Sequence, residues 1–287
     1  MASKQMQEFL ETTRNAAPQK QSAPTKKNRM ELDDYMAKQP VAKGFTFNDT
    51  SMANCPVRRF IPANSTNTSA ILYLHGGGYF TGSSKSHHAL MSNLCVSSNS
   101  MVIGLDYRLA PEYPYPAALN DAIAVYQEMN EDRQSSQIMI AGDSAGGGLT
   151  MACLHKLRDT AHPMPGCAAL LSPNVDLSST GAYSDTKGLE YQSYYAGRYP
   201  KDHPGVSPVF ADMKGLPPIL IQFANEEAFV EEIERLIIKL KAADVAVKVQ
   251  VFEDAFHVFQ MFTEIPESID AIQQIAEFFQ SQTMGLS

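Results

Sequence analysis

The chain reads as an α/β protein built on a mostly parallel, doubly wound sheet with helices on both faces. Three observations predict this. From Gly44 onward, strand-like and helix-like segments alternate. From Ala70 onward the strand-like segments are short continuous apolar runs, the pattern of a parallel sheet buried on both faces. One of them, Ile138-Met139-Ile140-Ala141-Gly142, passes through a serine into a segment of helical spacing, the strand–turn–helix connection from which such sheets are built.

The elements follow in order. Residues 1–43 precede the alternation and read as a small N-terminal helical cap. Met6, Phe9 and Leu10 share one helical face there, and Met30, Tyr35 and Met36 share another. The stretch between them, 17–28, is rich in Pro, Gln, Ser and Lys and reads as a loop. Residues 44–287 form the main domain, with strands expected at 45–49, 56–61, 70–75, 101–107, 137–142, 168–172, 219–224 and 247–252. The first two alternate polar with apolar and suit an antiparallel edge. Helices are expected at 85–97, 117–128, 145–159, 228–243 and 266–282. The interval 173–218 breaks the rhythm and holds Tyr183, Tyr191, Tyr194, Tyr195 and Tyr199. A connection that long is usually functional, and this one suits either the wall of a substrate pocket or a surface excursion with some helix.

Composition narrows the function. With 287 residues the chain has one large core and room for a small accessory element. Its net charge of −8 argues against nucleic acid as a partner. Residues 1–30 hold six basic side chains against Glu8 and Glu11, so the remainder carries twelve excess negative charges. Such a basic segment is more often solvated than docked on the acidic body. Cys55, Cys95, Cys153 and Cys167 are widely spaced, which suits neither a zinc site nor a disulfide framework, and free buried thiols are expected. No apolar run approaches the roughly 18 residues of a membrane span, and the N-terminus lacks an apolar leader core. A cytoplasmic protein without metal or cofactor is the expectation.

Two glycine-rich segments carry chemistry. In Gly142-Asp143-Ser144-Ala145-Gly146, a strand turns sharply through a serine into a helix. A nucleophile held on such a strained turn tolerates only the smallest residues two positions either side. It also sits at a helix N-terminus, which favours developing negative charge. The run Gly76-Gly77-Gly78, after the strand ending at His75, presents backbone N–H groups with no side chains in the way, as stabilisation of an oxyanion requires.

Together with Asp106-Tyr107-Arg108-Leu109-Ala110-Pro111-Glu112, Ser207-Pro208 and Gly215-Leu216-Pro217-Pro218, these segments resemble the hormone-sensitive-lipase-like branch of the α/β-hydrolases, the bacterial family IV carboxylesterases. The resemblance runs from about Ala70 to the C-terminus. It implies an α/β-hydrolase fold, oxyanion donors among Gly76, Gly77 and Gly78 (chiefly the latter two) joined by Ala145, and a mobile helical cap.

A serine needs a base, and the base an orienting acid. Chain order in this fold is nucleophile, acid, histidine, and of seven histidines only His203 and His257 come late enough. His203 precedes the strand that should deliver the acid, leaving His257. The acid follows strand 219–224, where Glu226 and Glu227 are adjacent. The family's spacing from Leu216-Pro217-Pro218, taken without gaps, falls on Glu227. Glutamate stands there where the family usually has aspartate. Asp143, Asp106, Arg108 and Glu112 read as loop architecture.

The resemblance therefore implies a serine carboxylesterase acting on short- to medium-chain acyl esters, with a small-molecule ester as its partner and a homodimer open through the last edge strand. An amidase, formamidase or acyltransferase would use the same triad. A small-ligand receptor on this fold replaces the catalytic histidine, whereas His257 is present.

Overall fold

The computed structural model describes residues 2–15, 25–63, 65, 68–178 and 193–283. Among them, eight strands form one sheet in the order β1-β2-β4-β3-β5-β6-β7-β8. β1 (Phe45–Met52) and β2 (Cys55–Pro62) form a hairpin whose second strand runs antiparallel to β4 (Met101–Leu105). The remaining pairings, through β3 (Ala70–Leu74), β5 (Ile138–Asp143), β6 (Cys167–Leu171), β7 (Ile219–Ala224) and β8 (Val247–Phe252), are all parallel. The antiparallel edge and the parallel body are both as the alternation and the apolar runs predict.

The period of two along each strand divides the core. Leu72, Ile103, Ile140, Leu170 and Ile221 point to one face. They pack there with α4 (Ala117–Glu131), α5 (Ala145–Asp159) and α6 (Val230–Ala242). Ile71, Val102, Met139, Ala169 and Leu220 point to the other, against α3 (His88–Ser98) and α7 (Pro266–Thr283). Every residue of β3, β5, β6 and β7 is buried. β8 closes the sheet as an edge strand, with Val251 half exposed.

Helix α3 starts three residues later than its sequence pattern suggests. The Ser83 hydroxyl accepts from the N–H groups of Lys85 and Ser86, which holds that stretch in a turn. Tyr183 and Tyr191 lie outside the described residues. Of the other aromatics in that interval, Tyr195 is buried and stacks on Tyr79 at 3.5 Å between centroids. Tyr199 meets the edge of Tyr115 at 4.8 Å.

Two helices precede the sheet, α1 (Lys4–Asn15) and α2 (Lys26–Met36). α1 docks as its periodicity predicts. Met6 is fully buried in a small cluster with Ala255, Phe259 and Ile265, and Phe9 stacks on Phe256 at 4.3 Å. α2 departs from the prediction. It begins at Lys26, inside the stretch read as loop, because Thr25 caps it by accepting from the Asn28 N–H. Its expected apolar face is largely unused: Met36 is buried, but Met30 and Tyr35 are each 56% exposed. The helix is held by polar side chains instead. Arg29 pairs with Glu112 and Asp33 accepts from the Ser83 hydroxyl, so this basic segment is docked in part rather than simply solvated.

Candidate active site

β5 delivers Ser144 to a left-handed turn (φ 48°, ψ −118°), a backbone strain that persists only when its surroundings over-determine it. Those surroundings are two glycines. A Cβ on Gly142 would fall 2.4 Å from the Gly146 carbonyl oxygen, and one on Gly146 would fall 1.9 Å from that of Leu74. The turn is tied to the adjoining strand by the Ser144 N–H donating to the Leu171 carbonyl at 2.8 Å. Ser144 then stands at the N-terminus of α5, where the helix dipole favours an anion.

The loop after β8 brings His257 back over this turn, with Nε2 3.0 Å from the Ser144 hydroxyl. Its other ring nitrogen, Nδ1, lies 3.5 Å from Glu227 Oε1. Neither of those two buried atoms has another hydrogen-bond partner. The separation is longer than a tight hydrogen bond, as is common in hydrolase sites without substrate. Glu227 arrives from the turn after β7. Its side chain is fully buried, whereas Glu226 is exposed. The second carboxylate oxygen of Glu227 accepts from the Ser172 hydroxyl at 2.5 Å and from the Ala224 N–H at 3.2 Å. Phe229 packs on His257 at 5.0 Å between centroids.

The glycine loop after β3 turns tightly. Gly77 (φ 113°) and Gly78 (φ 64°) occupy backbone space that a side chain resists, and the Phe80 and Thr81 N–H groups both donate to the Gly77 carbonyl. Gly76 is held differently from the two glycines that follow it: its N–H donates to Asp143 Oδ1 at 3.0 Å. A Cβ there would also lie 2.1 Å from Asp143 Oδ2.

Asp143 itself is buried and faces away from the reaction, as expected of loop architecture. It collects the Tyr73 hydroxyl at 2.9 Å, the Gly76 N–H, and His87 Nε2 at 3.2 Å. Burial alone would raise its pKa, but the His87 charge and these hydrogen bonds hold it below the ordinary carboxylate value. Burial likewise works to lower the pKa of His87, and Asp143 overrides it and raises it. His75, buried and stacked on Tyr107 at 4.2 Å, is pushed down to about 4 by burial and by the neighbouring His87.

Two side chains packed around the site escaped the sequence reading: Ser172 and His87. Ser172 follows a strand without any motif of its own. His87 falls within the helix expected at 85–97, as one of two adjacent histidines. Two further loop residues hold structural contacts, Asp106 accepting from Ser84 and Arg108 pairing with Asp121. All four cysteines are free and buried, and burial raises each thiol pKa. Among the described residues no helix is long and apolar enough to cross a membrane.

Known proteins share both sequence and fold with this chain. A family model described as an alpha/beta hydrolase fold matches residues 71–261. The acetyl-hydrolase of Streptomyces hygroscopicus is 36% identical over 74% of this chain and 76% of its own length. An esterase of Acinetobacter venetianus is 34% identical over 76% of this chain and 77% of its own. Among solved structures, an esterase of the bacterial hormone-sensitive lipase family superposes with a TM-score of 0.91 at 29% identity, covering 99% of each chain. A hormone-sensitive lipase from a metagenome library does so with a TM-score of 0.91 at 33% identity, covering 97% of this chain and 98% of the other. With this strand order, this serine turn and these relatives, the chain belongs to the α/β-hydrolases, in their hormone-sensitive-lipase-like branch.

Proposed function

We propose that this carboxylic ester hydrolase works through an acyl-enzyme on Ser144, with His257 as its base and Glu227 as the orienting acid. The observation that carries the reading is the continuous line from the Ser144 hydroxyl through the His257 ring to the buried Glu227 carboxylate. As Ser144 Oγ attacks the ester carbonyl carbon, its proton passes to His257 Nε2. The carbonyl oxygen becomes an oxyanion, and the N–H groups of Gly77, Gly78 and Ala145 are its donors. Glu227 favours the tautomer with a proton on Nδ1 and stabilises the imidazolium once it forms. Collapse breaks the bond to the alcohol, which leaves with the proton from Nε2. A water molecule then loses a proton to the same nitrogen and attacks the acyl carbon; collapse breaks the bond to Ser144 Oγ, which takes the proton back from Nε2 as the acid leaves.

The substrate class in this reading is short- to medium-chain acyl esters, which the acetyl-hydrolase and esterase names of the relatives support. Residues 1–43 are a cap over the acyl pocket and 44–287 the catalytic domain. A cytoplasmic location accords with four free thiols. The open edge of β8 supports pairing with a second copy, and the negative net charge argues against nucleic acid.

The test is Ser144→Ala against a series of p-nitrophenyl esters of increasing acyl length. Turnover should fall by ~10⁴–10⁶ on every ester with the fold intact. Undiminished turnover in a folded Ser144→Ala protein would remove the assignment.

A further inference from the structure

We propose that Arg29, on the N-terminal helix α2, is a positioning residue for the oxyanion loop, so that the cap segment sets turnover as well as covering the pocket. This rests on the reading of Gly77 and Gly78 as oxyanion donors. The guanidinium, with 21% of the side chain exposed, reaches three places at once. Nε donates to the Phe80 carbonyl at 2.8 Å, and Nη2 to the Ala110 carbonyl at 2.8 Å. Nη1 and Nη2 form a forked pair with Glu112 at 2.9 and 2.8 Å.

Phe80 closes the turn that begins at Gly77, and Ala110 is already joined to that turn through its N–H to the Tyr79 carbonyl. Arg29 therefore ties together the two segments that fix where Gly77 and Gly78 point. One helical turn further along the same face, Asp33 accepts from the Ser83 hydroxyl at 2.6 Å, fastening the far end of the glycine loop. An isolated surface ion pair contributes little. A planar fork that satisfies two backbone carbonyls and a carboxylate together is a different case, since it fixes geometry as well as charge. α1 makes the matching contact on the other half of the site. Phe9 stacks on Phe256, the residue before His257.

A cap that only walls the pocket and a cap that positions the oxyanion loop differ in kinetics. A wall residue alters KM and acyl-length preference. A positioning residue alters stabilisation of the transition state, and so alters kcat equally for all esters. The experiment measures kcat and KM of the full chain and of Arg29→Met and Arg29→Lys on p-nitrophenyl acetate, butyrate and octanoate. Alongside, it measures the affinity of a trifluoromethyl ketone, which forms an oxyanion adduct with the serine.

In Arg29→Met, kcat should fall by about 10- to 100-fold on all three esters, KM should stay within about threefold, and ketone affinity should fall by the same factor as kcat. Arg29→Lys keeps the charge opposite Glu112 but lacks the fork that bridges both carbonyls, and should lose at least about fivefold in kcat. It carries the same test should the methionine variant fail to fold. Wild-type kcat in the folded variants, or a change confined to KM or to one acyl length, would overturn the proposal. Failure of the underlying site reading would show separately, as retained turnover in Ser144→Ala or as wild-type ketone affinity in a folded Gly77→Ala, whose Cβ would lie 2.3 Å from the Thr81 carbonyl oxygen.

Discussion

Ser172 and Glu227 are joined by a 2.5 Å hydrogen bond inside the protein, and this bond fixes which carboxylate oxygen is left to face His257. Ser172 sits in a left-handed conformation (φ 44°) directly after β6 and is fully buried. Its hydroxyl also accepts from the Val258 N–H at 3.2 Å, so one side chain contacts both the acid and the loop of the base. Loss of a hydrogen bond to a charged group costs about 1.5–3 kcal/mol. Ser172→Ala should accordingly lower kcat by roughly 10- to 100-fold with KM little changed. Steady-state kinetics and a thermal melt on the same preparation check this. Unaltered kcat in the folded variant would show that Glu227 holds its place without the tether.

The two adjacent carboxylates should separate cleanly. Glu227→Gln keeps the shape of the side chain but removes the charge facing His257, and turnover should fall by ~10²–10⁴. Glu226 is exposed, and Glu226→Gln should stay within about threefold of wild type. Both are measured side by side, with circular dichroism to confirm folding. If Glu226→Gln were the crippled variant, the acid would have been placed one residue wrong.

Gly76 offers a test of the oxyanion loop that does not touch the triad. A Cβ there would lie 2.1 Å from Asp143 Oδ2, so Gly76→Ala must move either the carboxylate or the loop carrying Gly77 and Gly78. Loss of one oxyanion donor costs about 10²–10³ in turnover, and a comparable fall in kcat is expected here. Titration of Ser144 with an organophosphate would show the serine still present and its labelling slowed in proportion. A variant that labels and turns over at wild-type rates would contradict the loop's role.

The sheet was legible in the sequence because its strands are short apolar runs bounded by turn residues, and the strand boundaries expected for β5, β7 and β8 lie within a residue of those observed. The serine turn was legible for a steric reason, since only glycine fits at 142 and 146. What the sequence hid depends on polar side chains whose partners are distant in the chain. Periodicity reads apolar burial, so it placed Met30 and Tyr35 on the docked face of α2 when Arg29 and Asp33 do the docking. Likewise, the glycine run gives no sign that the N–H of its first residue donates to Asp143, 67 residues away. Ser172 had no local signal at all. Its contacts lie 55 and 86 residues away.

The pair of His87 and Asp143 makes stability depend on pH in a predictable direction. Asp143 keeps its carboxylate below the ordinary value, so its contribution is present above about pH 4 and is lost as pH falls through the depressed folded value. The His87 pKa is raised above its ordinary value of about 6.5. Its contribution is therefore complete below about pH 6.5 and is lost as pH rises through the raised folded value. His75, pushed down to about 4, stays neutral across that interval and adds no competing charge. His87→Gln keeps a hydrogen-bonding side chain but cannot be charged, so it removes only the ionic part. Comparing melting temperatures of wild type and His87→Gln between about pH 5 and 9 should show the largest gap at the acid end. That gap should narrow as pH rises past the raised histidine value. A gap that stays constant or widens with pH would mean that His87 is neutral beside Asp143 throughout, and that the oxyanion loop is anchored by hydrogen bonds alone.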